Sequence, residues 1–219
     1  MHGVAKHPEA PPTKSRRTEN AEVTRQAILD AARELFTERG YFQTKVDDIA
    51  RSARVSVAWV HAASGGKSGL LRTLLEDGVD TAANARALEH LTSITEPSEL
   101  IHFITHATRA LFEAWSPLMR QVAAAATQDT GVRQSQEIAH EGLRGGLRLT
   151  ARRLAEMGAL RHGIDEARAI DLLWLHLSNS AYFLRQDELG WTFDESEAWA
   201  NEALQWALLG TGASAATFR

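Results

Sequence analysis

TRQAILDAARELFTERGY (residues 24–41) is followed after two residues by TKVDDIARSARVSVAWVHAAS (44–64) and GGKSGLL (65–71). Apolar residues in this run recur at intervals of three and four rather than two, the period of an amphipathic helix and not of a strand. A first helix buries Val23, Ala27, Ile28, Ala31, Leu35 and Phe36 on one face and ends at Gly40, a residue suited to the left-handed C-cap. A short helix then opens at Thr44, an N-cap with Asp47 three residues on, and buries Val46, Ile49, Ala50 and Ala53. Arg54-Val55 makes a tight turn and Ser56 caps a third helix running from Val57 to about Ala62. Two short helices joined by so short a turn form a helix-turn-helix unit.

The helical period continues outward. Gly65-Gly66 breaks the pattern, and a longer helix from Lys67 carries Leu70, Leu71, Leu74, Leu75 and Val79 into a second region. Further helices are expected from about Ser98 to Trp115, interrupted at Ser116-Pro117, then from Pro117 to Gln128 and from Val132 to Met157. Gly158 and Gly163 bracket a loop. Asp165 begins a helix through Leu172, Leu173, Trp174, Leu177 and Tyr182, and Asp194 with Glu197 boxes the start of a last one through Trp199, Leu204 and Leu208. No run of alternating β-branched residues predicts a sheet. The expectation is an all-α chain: a flexible basic arm (1–20), a three-helix head with the helix-turn-helix (21–66), a larger helical ligand-binding and dimerisation domain (67–210) and a tail (211–219).

Composition narrows the function. The chain has 219 residues, no cysteine and a net charge of -4. The lack of cysteine excludes disulfides, thiolate metal sites and a cysteine nucleophile. No apolar run approaches the length of a membrane span, and Met1 to Arg17 lacks the apolar core of a signal peptide, so the reading is a cytoplasmic protein with no membrane partner. Charge is unevenly placed: residues 1–75 hold 12 of the 24 Lys and Arg but 8 of the 28 acids, and all four lysines precede residue 68. A basic head on an acidic body is the footprint of a nucleic-acid reader, because phosphate neutralisation needs local rather than net positive charge.

The run from Thr24 to Tyr41, with Thr44, Val46, Ile49-Ala50, Ala53, Val55-Ser56 and Lys67 to Leu71, resembles the TetR family of bacterial transcriptional regulators over about 48 residues without a gap. The stretch from Trp174 to Leu209 resembles the last two helices of such proteins more loosely. The resemblance implies a dimeric repressor that puts its third helix into the major groove of double-stranded DNA. Its body would bind a small effector that alters the spacing of the two heads on a palindromic operator. It assigns DNA contacts to Arg25, Thr44, Lys45, Arg54, Ser56, Val57, Ala58, Trp59, His61 and Lys67. It implies no cofactor, no metal and no catalytic chemistry.

The sequence departs from the family pattern where such proteins touch DNA. Trp59 stands at a threonine position, His61 at a tyrosine, Ala63 at a second aromatic and Ser64 at a core phenylalanine. His61 can still donate to a phosphate, Trp59 only through its indole N–H, and Ala63 not at all. Val57 and Ala58 offer methyl contacts to thymine, which leaves Lys45 as the polar reader. Two readings stay open: compensation by Lys45, Arg51, Arg54, Arg16 and Arg17, or a head that binds DNA weakly or needs its effector. The loss of an aromatic at Ser64 is expected to soften the joint between head and body.

An aromatic inventory in the body, with histidines beside it, predicts a largely apolar effector pocket lined by Phe103, His106, Phe112, Trp115, Met119, Trp174 and His176. Thr105, Gln121 or Asn179 would add polar contacts. The homodimer is expected through Asp165–Gln186 and Asp194–Leu209, where Trp191, Trp199, Trp206, Leu173, Leu177, Leu184 and Leu204 exceed the needs of two terminal helices. The alternative is a helical-bundle metal protein or enzyme with a degenerate head, for which two Glu-x-x-His pairs (Glu99/His102 and Glu137/His140) and His102/His106 supply ligand spacing. Gly66-Lys67-Ser68 has the tail of a phosphate loop, but position 61 is histidine where the first glycine belongs.

Overall fold

The computed structural model describes residues 16–79 and 82–209, and all of the described chain is helical or loop. The basic arm before Arg16 and the tail after Leu209 lie outside the described residues. The helices are α1 (Arg16–Arg39), α2 (Val46–Ser52), α3 (Val57–Ser64), α4 (Lys67–Val79), α5 (Ala82–Ser93), α6 (Pro97–Ala126), α7 (Thr130–Glu156), α8 (Glu166–Leu177), α9 (Asn179–Phe183) and α10 (Phe193–Leu209). A π-helical turn, Leu184–Glu188, follows α9. The first helix thus begins inside the stretch read from sequence as an arm. Among the described residues no helix is long and apolar enough to cross a membrane.

The elements form largely where the apolar period places them. Ile28, Leu29, Ala32, Leu35 and Phe36 are buried on one face of α1, and Gly40, at φ 86°, turns the chain out of it. Ser56 caps α3, its Oγ accepting from the Trp59 N–H at 3.2 Å. At the other end of α3 the left-handed Gly65 closes the helix, its N–H donating to the His61 carbonyl. Asp129 caps α7 through the N–H groups of Gly131 and Val132.

Four further boundaries differ from expectation. Thr44 does not cap α2: Lys45 holds that position without a side-chain bond, and the Thr44 hydroxyl donates instead to the carbonyls of Leu35 and Gly40. Pro117 does not break α6, because Phe112, Ser116, Leu118 and Met119 are buried around it and their packing outweighs one missing N–H. The expected helix from Asp165 is divided at Ser178, whose backbone is extended and whose hydroxyl accepts from Ala181 N–H to cap α9. The box opening α10 is Thr192 with Glu195, which exchange backbone bonds reciprocally, leaving Asp194 and Glu197 free to pair with Arg109.

Two apolar clusters organise the interior. One joins α1 to α4 with Leu118, Met119 and Val122 of α6 and Val132 of α7, so the head and the body share a core. The other packs α5 to α8 and α10 around Leu100, Leu147, Leu154, Leu173 and Leu204. The joint expected to be soft at Ser64 is closed in another way. Gly69 of α4 approaches the end of α3 so closely that a methyl group there would overlap the Ser64 carbonyl oxygen. The Ser64 hydroxyl bonds to the Val60 carbonyl at 2.8 Å.

Candidate functional site

The α2–α3 unit presents one continuous polar and basic edge. Lys45, Arg51, Arg54, Ser56, Ala58 and His61 are exposed, with Val57 and Trp59, the latter 47% exposed, on the outer face of α3. Inward, Val60 of α3 and Ile49 of α2 are fully buried and fix the angle between the helices. Arg54 takes φ 57°, the left-handed region, at the turn between them. For a side-chain-bearing residue this conformation costs about 1 kcal/mol, and it holds a guanidinium next to the start of α3.

Three residues assigned to DNA by the resemblance are engaged elsewhere. Thr44 is 1% exposed and its hydroxyl is used within the head. Arg25 pairs with Glu22 at 3.3 Å and Asp77 at 3.6 Å. The Lys67 ammonium donates to the Tyr41 carbonyl at 2.8 Å and lies 4.3 Å from the centroid of the Tyr41 ring. Burial lowers its pKa, an effect opposed by the nearby Asp129 carboxylate. The Tyr41 hydroxyl in turn lies 3.4 Å from Asp129 Oδ2. Burial, followed by Asp129, pushes that phenol up to about 12. Tyr41, Lys67 and Asp129 therefore tie the head loop, the start of α4 and the cap of α7 together.

A cavity of about 420 Å³ opens between α4, α5, α6 and α7. Phe103, Phe112, Trp115 and Met119 of α6 line it, and Asn179 does so from α9. Among the described residues no charged side chain is in the lining. His106, Trp174 and His176 are not in it. At 100° per residue the lining positions of α6 share one face and His106 falls on the opposite one, exposed and 2.9 Å from Glu197. Trp174 packs edge-on against His140 and under Arg144, while His176 stacks on Trp199. Thr105 bonds to backbone within α6 and Gln121 packs against Gly40.

The missed part of this wall is glycine. Gly142, Gly145 and Gly146 of α7 line the cavity, and a Cβ at Gly145 or Gly146 would meet nothing within 4 Å. Glycines at i, i+3 and i+4 inside a helical run were the available signal, since they lie on one face and leave a groove there.

The proposed metal pairs do not converge. Glu99, His102 and Glu137 are exposed, and among the described residues no group of three or more His, Cys, Asp or Glu could hold a metal ion.

A shared core beneath a helix-turn-helix edge, and an apolar cavity under its connecting helix, define a helical DNA-binding class of protein. Residues 28–74, from α1 to α4, match the family model described as bacterial regulatory proteins, tetR family. It is 36% identical over 77 residues to the HTH-type transcriptional regulator HbdR of Aromatoleum sp. (strain CIB). That match spans 34% of this chain and only 34% of the relative. Two solved structures share the whole fold. A transcriptional regulator from Saccharomonospora viridis, in complex with choline, has a TM-score of 0.70 at 20% identity, covering 86% of this chain and 98% of its own. NalD, the secondary repressor of the MexAB-OprM multidrug efflux pump in Pseudomonas aeruginosa, has a TM-score of 0.65 at 23% identity, covering 87% and 98%.

Proposed function

We propose that this chain is a ligand-responsive transcriptional repressor that binds a palindromic operator as a homodimer and is released by a small, largely apolar effector. The observation that carries the reading is the shared core: the same cluster that buries α1 to α3 includes Met119, a residue of the cavity wall. A molecule filling the cavity therefore acts on the element that orients the head, and it shifts the DNA-binding equilibrium by its differential affinity for the two arrangements. The match of residues 28–74 to the tetR family model and the description of NalD as a repressor support the direction of the effect.

Lys45, Arg54, Ser56, Val57, Ala58, Trp59 and His61 form the proposed DNA face, with Arg51 beside them. Arg25, Thr44 and Lys67 act indirectly, by fixing α1, the entry to α2 and the start of α4. The dimer face comprises the outer sides of α8 and α10. Trp206 is 65% exposed, Leu175 67%, and Trp199, Leu184 and Leu189 are exposed on or between the chain's last helices. Leu173, Leu177 and Leu204, expected there, are buried in the protomer's own core and cannot also meet a partner.

Titration of the full chain into its own upstream intergenic DNA at two salt concentrations tests the reading. Specific binding that weakens steeply with salt is expected, as phosphate contacts release counterions. Weak binding that is the same for unrelated sequence rejects it.

A further inference from the structure

Among the described residues, five of the buried side-chain polar atoms without a hydrogen-bond partner of good geometry belong to one junction of α6, α9, the π-helical turn and α10. They are Arg109 Nε, Tyr182 Oη, Arg185 Nε and Nη2, and Ser196 Oγ. Arg109 is neutralised by Asp194 and Glu197 through its terminal nitrogens, and its Nε lies 3.4 Å from a Glu113 oxygen. Arg185 is different. It is 4% exposed, and it has no ion pair among the described residues. Its guanidinium centre lies 4.6 Å from the Tyr182 ring centroid and 5.6 Å from that of Trp199. Ring faces offset only part of the cost of taking a cation out of water.

The location gives this cation a use. Thr108, Phe112 and Asn179 line one end of the cavity. Phe112 stacks on Tyr182 with centroids 4.5 Å apart and planes 17° from parallel. Tyr182 neighbours both Thr108 and Arg185. The guanidinium therefore stands one aromatic ring behind an uncharged cavity wall, with two hydroxyls in the same junction. A buried guanidinium without a carboxylate partner, held beside the Tyr182 hydroxyl that also faces Thr108, matches an acceptor with several lone pairs, and a carboxylate is the compact group that provides them.

We propose that Arg185 receives the carboxylate of an apolar monocarboxylic acid whose hydrocarbon body fills the cavity, with the Tyr182 and Ser196 hydroxyls donating to the same group. To reach it the acid must displace both stacked rings, Phe112 and Tyr182, that stand between the cavity and the guanidinium. This rests on the reading of the cavity as the effector site and adds the charge class of the effector. Most of the cavity provides no discrimination beyond size, so the head group decides selectivity.

The test is calorimetric titration of the full chain with decanoate and decanamide, and with naphthaleneacetate and its amide, for the wild type, Arg185→Met and Arg185→Lys. Expected is an acid preference of about tenfold or more in the wild type, the scale of a charged hydrogen bond. Arg185→Met should lose the preference while keeping amide affinity, and Arg185→Lys should retain part of it. Equal binding of acid and amide to the wild type overturns the inference and leaves the cavity as an effector site. Failure of all four probes overturns both. An acid preference that survives Arg185→Met, with weakened self-association, assigns the cation to a carboxylate of a second copy and also overturns it. If Arg185→Met does not fold, Tyr182→Phe combined with Ser196→Ala serves: acid affinity is expected to fall severalfold at constant amide affinity, and no change overturns the inference.

Discussion

The guanidinium of Arg33, on α1, lies 4.3 Å from the centroid of the Trp115 ring, and its Nη2 donates to the neighbouring Ala114 carbonyl at 3.3 Å. Trp115 lines the cavity. On the α4 side the same indole meets Gly78, where an added Cβ would come within 2.7 Å of the ring. One side chain thus touches the cavity, the first helix of the head and the helix connecting head to body. Arg33→Gln is expected to cost about 0.5–1 kcal/mol of stability, the worth of an exposed cation–π contact. It should leave the affinity of a cavity-filling probe within about threefold, since the arginine adds no lining group. The probe should, however, release DNA less completely; thermal melting with DNA titrations in the presence and absence of the probe will show this.

Gly146→Ala should stabilise the protein by about 0.5–1 kcal/mol, because alanine is the better residue within a helix and its methyl enters open space. Gly146→Leu should keep a normal melting temperature while blocking the cavity. Binding of any apolar probe is expected to fall at least tenfold, read by titration calorimetry.

Arg54→Gly separates strain from charge. Glycine accepts the left-handed turn at little cost, so stability should rise by about 1 kcal/mol. Removing the guanidinium should weaken operator binding and, if it meets a phosphate, reduce the slope of log affinity against log salt by about one. An unchanged slope would take Arg54 off the DNA face.

Alkaline stability tests the Tyr41–Asp129 link. The folded-state phenol is pushed up to about 12 from 10 by burial and by Asp129, so its contribution is fully present below pH 10 and is lost as pH rises toward 12. A loss of about 2–3 kcal/mol follows from two units at 1.36 kcal/mol each. Lys67, whose pKa is lowered, works with the opposite sign, its strain easing as pH rises. Denaturant melts of wild type and Tyr41→Phe should converge or cross between pH 10 and 12 as the buried phenol of the wild type ionises.

Trp206→Glu should make the protein monomeric without unfolding it. The indole is mostly exposed on the protomer, touched on one side by Arg161 at 5.2 Å, so a charge there harms only an apolar partner surface. Sedimentation at micromolar concentration is the check, and a dimer of unchanged affinity would move the interface elsewhere.

The helix-turn-helix was legible because its signals are local. Apolar spacing in α1 and α2, the Ser56 cap and the Gly40 and Gly65 stops each act within a few residues, so the chain order of the head follows from sequence alone. Four cavity residues of α6 were legible for a related reason: a helix displays its face through its period. What sequence left open depends on neighbours distant along the chain. His106 reads as a polar pocket residue until α10 brings Glu197 to it, and Lys67 reads as a phosphate ligand until the Tyr41 carbonyl claims its ammonium. Leu173, Leu177 and Leu204 have the same composition as an interface, and only packing decides that they face inward while Trp206 does not. Arg185 is the extreme case: nothing in LRQDE marks a buried cation, because its burial, its ring neighbours and its unpaired donors all come from elements that meet only in the folded chain.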